Sequence, residues 1–282
     1  MNLKKVTGLL LTALLSGAVL AGCSGNRAQD LETDSRTKVG TLTHLNASED
    51  KYNDIMKKVD ETWTSKFSFD YVYYDKLIAM QMGLDSGNIR EMSIYKSTAR
   101  YLTDRNEKLA ILDYQGMKLT DSFCCAVRKE DKELLEGLNK VLGEMKGDGT
   151  LDRLVKTYIT DLKKGEEPPA VPLPETAGTV LKIAVTGDLP PLDLVLANGS
   201  AAGFNTAVLG EIGKRLGRNV EIVQIDSAAR ASALSSKKVD VVFWVTVPTA
   251  GSKVPADIDK PDGLELTMPY YQDDTVHVGK KK

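Results

Sequence analysis

Two stretches of the chain, residues 38–128 and 180–282, alternate short β-rich runs with helical periodicity, and this repeat constrains the fold most strongly. Strands that alternate with helices form units whose strands lie parallel in a sheet covered by the helices. Each stretch is long enough to bury its own core. The sequence therefore predicts an α/β fold with an N-terminal lobe (38–128), a C-terminal lobe (180–282) and a ligand cleft between them.

The N-terminal lobe begins with a predicted strand at residues 39–43 and a helix that Ser48 can cap. The apolar residues of that helix recur at helical spacing, at Tyr52, Ile55, Met56, Val59 and Trp63. Further strands are predicted at residues 67–73, 89–95, 109–112 and 123–127. Asp75 is predicted to cap the helix that ends at Gly87.

The stretch between the lobes divides into a helical and a proline-rich part. Residues 129–161 carry two apolar stripes at helical spacing, and such stripes need a surface to pack on. Residues 162–179 contain four prolines and three glutamates, a composition that favours extended, solvated backbone. The second part is therefore predicted to be a linker.

The C-terminal lobe shows the same alternation. Strands are predicted at residues 181–186, 220–225, 239–245 and 275–278, with a helix that opens at Gly203-Phe204-Asn205. The run 239–245 is uniformly apolar, which is typical of a central strand with both faces covered.

The first 22 residues have the features of a secretion signal. Lys4 and Lys5 precede a short apolar run, and small residues follow before Cys23. The tetrapeptide that ends at Cys23 is similar to a bacterial lipobox, which implies that Cys23 is lipidated and becomes the first residue of the mature protein. Residues 23–37 are predicted to be a flexible tether between the lipid and the fold. The predicted location is the extracytoplasmic face of the cell membrane.

Composition and motifs exclude several functions. The 37 Lys and Arg residues nearly balance the 39 Asp and Glu residues, so no basic surface favours nucleic acid as a partner. Phosphate loops, nucleophile elbows and zinc-protease helices have recognisable sequence patterns, and the chain contains none of them. His44 and His277 lie in different lobes, and Cys124 and Cys125 lie in an apolar strand where buried free thiols are expected. No metal, cofactor or enzymatic activity is predicted.

Several segments of the C-terminal lobe carry a family resemblance. They are residues 181–192, Gly203-Phe204-Asn205, residues 214–217, residues 236–242 and Pro269-Tyr270-Tyr271. In order and spacing they resemble the first lobe of bacterial extracellular solute-binding proteins of the amino-acid type, family 3, whose members have the type II periplasmic-binding-protein fold. Residues 38–160 resemble the second lobe of that family, notably residues 72–75, 126–129 and 138–152.

The order of the lobes is reversed relative to the family. The resemblance therefore implies a circular permutation in which residues 162–179 join the natural ends and the chain opens after His277-Val278. It also implies that residues 129–161 pack back on the C-terminal lobe, as the closing helices of the family do.

The binding residues of the family are not matched. Its amino-acid binders clamp the ligand carboxylate with an arginine, but residues 247–255 contain none. In the family an acidic residue pairs with the ligand ammonium, but Tyr95 stands at that position here. Ser227 likewise stands at a position where the family has an aromatic residue. An α-amino acid would therefore lack its usual partners.

The predicted ligand site combines position and chemistry. In the C-terminal lobe it comprises residues at the carboxyl ends of strands, where open α/β sheets bind ligands: Asp188, Leu192, Trp244, Thr246 and Val247. In the N-terminal lobe it comprises a strand end and a helix start whose N–H groups suit an anionic or carbonyl oxygen: Tyr95, Asn46, Ala47 and Ser48. Each has a structural alternative, such as a helix cap for Ser48 or the core for Trp244.

The leading hypothesis is a lipid-anchored, monomeric solute-binding protein that captures a small polar molecule and delivers it to an ABC permease. The missing clamp residues keep a second hypothesis open, a surface sensor or interaction protein that has lost the small-molecule site. A third is an enzyme on this fold that uses Asp188.

Overall fold

The computed structural model describes residues 36–61, 68–114, 119–249 and 251–281. Cys23, the predicted signal, nearly all of the tether, the helix residue Trp63 and the strand residue Phe67 lie outside these ranges. Residues 36–282 form one compact unit. Within the described ranges, no helix has the length and apolar content needed to cross a bilayer.

The described part of residues 36–160 contains five strands and five helices. The strands are β1 (Thr37–Leu42), β2 (Phe69–Tyr74), β3 (Glu91–Tyr95), β4 (Leu109–Leu112) and β5 (Leu119–Arg128). The helices are α1 (Glu49–Asp60), α2 (Leu77–Ser86), α3 (Lys96–Arg105), α4 (Lys132–Gly147) and α5 (Thr150–Val155), and α5 continues into a π-helical turn, Lys156–Thr160.

The described part of residues 180–281 contains eight more strands and two helices. The strands are β6 (Val180–Val185), β7 (Asp188–Leu189), β8 (Asp193–Val195), β9 (Ala201–Ala202), β10 (Asn219–Gln224), β11 (Val241–Pro248), β12 (Leu264–Leu266) and β13 (Tyr271–Lys280). The helices are α6 (Phe204–Leu216) and α7 (Arg230–Ser235), which a 3₁₀ turn at Ser227–Ala229 precedes.

One sheet runs through the molecule in the order β10-β6-β11-β5-β13-β3-β1-β2, with β12 beside β5 and β4 beside β13. Strands β10, β6 and β11 pair in parallel at one end, and β2, β1 and β3 pair in parallel at the other. We call these ends the C-terminal and N-terminal sheet halves. The predicted α/β class, with parallel strands flanked by helices, is confirmed.

The two long strands β5 and β13, called the crossing strands below, join the sheet halves. Both have ten residues, and they pair with each other antiparallel from Leu119 to Phe123 and from Tyr271 to Thr275. On its other edge β5 pairs with β11, and beyond the shared part it pairs with β12. Strand β13 pairs with β3 from Thr275 onward and with β4 from His277 onward. The last strand of the chain is therefore built into the N-terminal sheet half.

Helices cover both sheet halves. Helix α2 packs on β1 and β3, while α4 and α5 pack against α6 beside the C-terminal sheet half. Four residues of the apolar stripe predicted for α4 are fully or nearly buried: Leu138, Val141, Leu142 and Met145. Leu134 and Leu135 of the same stripe are only partly buried. Most of the largest buried side chains belong to one continuous core that includes both crossing strands.

The proline-rich segment is held by hydrogen bonds on both sides, although its composition predicts a solvated linker. The Tyr101 hydroxyl in α3 donates to the Glu167 carboxylate at 2.6 Å. Further along, the Val171 N–H donates to the Ala201 carbonyl at 3.0 Å, and the Thr176 N–H donates to the Asn219 side chain at 2.6 Å. The segment therefore packs along the protein surface from α3 to the C-terminal sheet half.

Gly203, which precedes α6, has a backbone that only glycine adopts readily, with φ 96° and ψ 178°. A Cβ atom there would lie 2.6 Å from the Pro191 carbonyl oxygen. We expect Gly203→Ala to lower the free energy of unfolding by about 1–3 kcal/mol from backbone strain, measured by urea denaturation.

Gly210, in the interior of the same helix, provides the matched control. A Cβ atom at Gly210 meets its nearest neighbour at an ordinary 3.7 Å. Gly210→Ala should therefore stabilise the protein by about 0.5–1 kcal/mol. Equal effects of the two variants would contradict this account of the α6 start.

Candidate functional site

A cavity of about 90 Å³ lies at the crossing strands and is lined by residues of both sheet halves. The N-terminal half contributes residues 41–45, Tyr52, Ser93 and Tyr95, and the C-terminal half contributes Arg230, Trp244, Val245, Thr246 and Asp259. The crossing strand β5 adds Asp121. The volume is below the roughly 300–1,000 Å³ of pockets for drug-sized ligands. The cavity therefore fits only a small molecule.

Trp244 forms one wall of the cavity, at an irregular point of β11. The register of β11 against β5 shifts between Val242 and Val245, and Trp244 has a positive φ of 49°. Its indole N–H donates to the Asp193 carboxylate at 3.2 Å. A buried, bulky residue in this region of φ is strained, and such residues concentrate at functional sites. The structure thus places Trp244, one of the predicted site residues, in the lining of the cavity.

Asp193 holds this wall in place and was not among the predicted site residues. It is almost fully buried, and its carboxylate accepts hydrogen bonds from the Thr186 and Gly187 N–H groups. Burial raises the pKa of Asp193, while the hydrogen bonds from Gly187 and Thr186 and the charge of Arg230 oppose this shift. Asp193 therefore fixes the indole rather than facing a ligand.

Arg230 is a buried cation of the cavity wall that the sequence analysis missed. Its guanidinium carbon lies 4.5 Å from the centre of the Trp244 ring, and its Nη1 donates to the Phe243 carbonyl at 2.9 Å. The Nε atom has no hydrogen-bond partner in the described part of the chain. Burial lowers the pKa of Arg230, and the charges of Asp193 and Asp259 counteract this effect. The protein thus has an arginine in the cleft, but one that stacks on its own tryptophan.

Asp121, on crossing strand β5, is a second charged residue of the wall that the sequence analysis missed. Among the described residues, its carboxyl has no hydrogen bond or ion pair. Burial, together with the negative charges of Asp273 and Asp259, raises the pKa of Asp121 to about 6. The tyrosines Tyr52 and Tyr95 lie close enough to interact with its charge. Asp121 is therefore the unpaired carboxyl of the cavity.

Replacement of Asp121 by asparagine should stabilise the protein at neutral pH. The pKa of Asp121 is near 3.8 in the unfolded protein and about 6 in the folded protein. The folded state therefore loses stability as the pH rises from about 4 to about 6. We expect Asp121→Asn to raise the free energy of unfolding at pH 7 by up to about 3 kcal/mol. Below pH 4 the two proteins should be equally stable. Urea denaturation from pH 4 to 8 measures the difference, and a destabilised variant at pH 7 would contradict it.

The predicted helix start at residues 46–48 already has an acceptor within the protein. The N–H groups of Leu45, Asn46 and Ala47, which we call the N–H nest, donate to the Asp259 carboxylate at 2.8, 2.6 and 2.9 Å. Ser48 accepts a hydrogen bond from the Lys51 N–H and is the N-cap of α1. The nest binds an anionic group, and within the protein that group is the Asp259 carboxylate.

Asp188, in β7 of a small separate sheet formed by β7, β8 and β9, contacts helix α2 instead of lining the cavity. Its carboxylate accepts the Leu77 N–H at 2.8 Å and so caps α2. The predicted cap of that helix, Asp75, is wrong, because the N-cap residue is Lys76 and its side chain makes no cap bond. Burial raises the pKa of Asp188, and the Leu77 hydrogen bond opposes the shift.

The remaining predicted residues divide between the cavity and the core. Tyr95 and Thr246 line the cavity together with Trp244. Leu192 is fully buried in the main core, and Val247 does not line the cavity although its neighbours Thr246 and Pro248 do. The cavity is therefore lined by three of the nine predicted site residues.

The histidines and cysteines form no metal-binding cluster within the described ranges. His44 stacks on Tyr52 with ring centres 3.8 Å apart, and burial lowers its pKa. His277 bonds to Glu91 at 2.8 Å. Cys124 and Cys125 are buried free thiols, as predicted, and burial raises the pKa of Cys124 to about 12.

Solved structures similar to this chain include three ligand-binding proteins. The GluR0 ligand-binding core in complex with L-glutamate is 12% identical, with 88% of this chain and 85% of that chain covered and a TM-score of 0.41. A nutrient-binding protein from Burkholderia cenocepacia bound to methionine is 14% identical, with coverages of 86% and 84% and a TM-score of 0.40. The methionine-binding protein MetQ is 11% identical, with coverages of 87% and 83% and a TM-score of 0.43.

These TM-scores lie below 0.5, so the fold assignment rests on the sheet topology itself. A search of curated protein sequences finds no match. The family comparison agrees with the motifs in the C-terminal lobe. Residues 181–261 match the model of the bacterial extracellular solute-binding proteins, family 3.

Proposed function

We propose that the protein is an extracytoplasmic solute-binding protein that captures a small polar molecule for an ABC importer. The observation that carries the proposal is the cavity at the crossing strands, whose walls come from both sheet halves. A ligand in such a position contacts both halves only when they are closed on it, so binding favours closure. The family match over residues 181–261 supports the same class of function.

Two carboxylates would keep the closed state together. Asp188 of the C-terminal lobe caps α2 of the N-terminal lobe, and Asp259 binds the N–H nest. Both contacts join residues more than 100 positions apart in the chain. Opening of the cleft would break them, which makes them the first candidates for contacts that form on closure.

The permuted lobe order remains part of the proposal. It is supported by the position of β13, whose residues Thr275 to Lys280 pair with β3 and β4 of the N-terminal sheet half. The C-terminal end of the chain thereby completes a sheet made mostly from residues 37–112. In this proposal residues 38–128 and 180–282 are the two lobes, residues 129–161 pack on the second of them, and residues 162–179 connect them.

Thermal unfolding in the presence of a metabolite library tests the capture of a solute. A solute at 100 times its Kd should stabilise the protein by about 2.7 kcal/mol. Ser93 lines the cavity, so Ser93→Phe should fill it and abolish the response. Met82→Ala, at a side chain exposed to solvent, provides the control. No response to any solute, or a response that Ser93→Phe retains, would oppose the proposal.

The lipid anchor is a separate proposal and rests on Cys23 and the signal before it. We expect the protein, expressed in a bacterium with its signal, to partition into detergent and to incorporate labelled palmitate. Cys23→Ala should remove the label, whereas Cys124→Ala, at a buried thiol, should leave it unchanged. Label that persists in Cys23→Ala would contradict the anchor.

A second candidate function is that of a surface sensor or interaction protein. It is favoured by two internal contacts, because Arg230 stacks on Trp244 and Asp259 fills the N–H nest. Both use groups that could otherwise bind a ligand. Copurification of a membrane-embedded signalling protein instead of a permease, together with no solute response, would favour this function over transport.

A further inference from the structure

The segment from residue 251 to residue 263, which lies between β11 and β12, brings its own carboxylate into the cleft. Asp259 in this segment is 6% exposed, and both of its oxygens accept N–H groups of the nest. Three backbone donors are the kind of partners that a ligand carboxylate would need. The anion site of the N-terminal lobe is thus filled by a side chain of the C-terminal lobe.

Other contacts hold this segment on α1. The Lys51 ammonium donates to the Ile258 carbonyl at 3.4 Å, and Ile258 belongs to a small apolar cluster with Met56, Val59 and Val254. The part of the segment that precedes Asp259 is therefore seated on α1 by apolar packing. Asp259 is placed in the nest by the fold rather than by a chance surface contact.

Arg230, the cationic side chain of the cavity wall, also has partners within the protein. The Arg230 guanidinium donates to backbone carbonyls and lies over the Trp244 ring. A solute carboxylate would thus have to displace Asp259 from the nest or pair with the Arg230 Nε–H, which has no partner in the described part of the chain but is buried. The described lining of the cavity contains no other arginine and no lysine.

What the cavity offers to a solute is a carboxyl group and aromatic rings. Asp121 has no hydrogen-bond or ion-pair partner within the described ranges, and Tyr52 and Tyr95 lie beside it. A small cation would pair with this carboxylate and could also contact a tyrosine ring face. A neutral hydrogen-bond donor could use the same oxygen atoms, but it would gain less.

We propose that Asp259 is a built-in carboxylate ligand that excludes carboxylate-bearing solutes, and that the cavity selects a small cation, which Asp121 binds. This inference rests on the proposed function, since it names the class of solute for the same cavity. It makes Asp259 the residue that determines specificity.

The experiment measures the melting temperature with two probes, methylammonium chloride and sodium acetate, each against sodium chloride at equal ionic strength. At ten times its Kd a probe should raise the Tm by about 3–6 °C. The wild-type protein should respond to methylammonium and not to acetate. Asp121→Asn should lose the methylammonium response. A wild-type response to acetate, or a methylammonium response unchanged in Asp121→Asn, would overturn the proposal.

Asp259→Gly tests the internal ligand by chemical rescue, because acetate has the size of the removed side chain. This variant should gain an acetate response that the wild type lacks. Asp257→Gly removes an equal charge from an exposed position two residues away and should gain none. Asp259→Asn fills the nest with an amide, so it should be less stable than wild type and insensitive to acetate. If Asp259→Gly is unfolded in the absence of acetate, added acetate should restore its folding transition. An Asp259→Gly protein that shows no response to acetate would overturn the proposal.

The outcomes separate this inference from the proposed function. If the library identifies a carboxylate solute that binds wild type and is blocked by Ser93→Phe, solute capture stands and the role of Asp259 as an excluding ligand fails. If acetate rescues Asp259→Gly while no solute binds the wild type, the internal ligand stands and solute capture fails.

Discussion

Phe123→Ala should lower the free energy of unfolding by about 3–5 kcal/mol, as expected for a large aromatic removed from a packed core. Phe123 is fully buried at the centre of crossing strand β5, where its backbone pairs with Thr246 on one side and Tyr271 on the other. Its ring contacts the aromatic rings of Tyr95 and Tyr271 at centre distances of 4.8 and 5.4 Å. The substitution therefore opens a cavity where the two sheet halves join.

Equilibrium unfolding in urea measures this loss. Phe123→Leu should be affected less, because it keeps most of the apolar volume. Met82→Ala, at a side chain that is 65% exposed, should stay within about 0.5 kcal/mol of wild type. If Phe123→Ala were as stable as Met82→Ala, the crossing strands would not be the core of the molecule.

Arg128→Met should also destabilise the protein strongly. Arg128 lies at the buried end of β5, where its Nη1 donates to the Leu234 and Val239 carbonyls at 3.1 and 2.7 Å. Its Nη2 lies 2.6 Å from the Asp131 carboxylate. Removal of one partner of a buried ion pair costs roughly 3–5 kcal/mol, and we expect about 3 because Asp131 is partly exposed to solvent.

The control for Arg128 is the surface ion pair between Lys260 and Glu265, at 2.9 Å. Lys260→Met should cost at most about 1 kcal/mol, because exposed pairs contribute little. High salt should weaken the surface pair more than the buried one. A loss below 1 kcal/mol for Arg128→Met would show that α7 and the end of β5 are not held together by this side chain.

The secondary structure could largely be predicted from local patterns. The apolar run 239–245 predicts a central strand, and β11 does lie between β6 and β5 with its first five residues buried. Gly87 ends α2 in the left-handed conformation that favours glycine. These features follow from periodicity and local backbone preference, both of which the sequence displays directly.

The site could be predicted only in part, because its charged contacts join residues distant in sequence. Asp259 lies 213 positions from Asn46, in an irregular stretch without periodicity. Arg230 begins a short helix and has the sequence context of a solvated charge, yet it is almost fully buried. Likewise, the cap of α2 comes from Asp188, 111 positions away, and not from the adjacent Asp75.

The identity of what the cavity holds tests the central claim most directly. Mass spectrometry of small molecules released on denaturation should compare freshly purified wild type with Ser93→Phe, whose fold is checked by circular dichroism. We predict one solute in near-stoichiometric amount from the wild type and none from Ser93→Phe. A wild-type protein that releases no enriched solute, or a folded Ser93→Phe that releases as much as wild type, would contradict solute capture in this cavity.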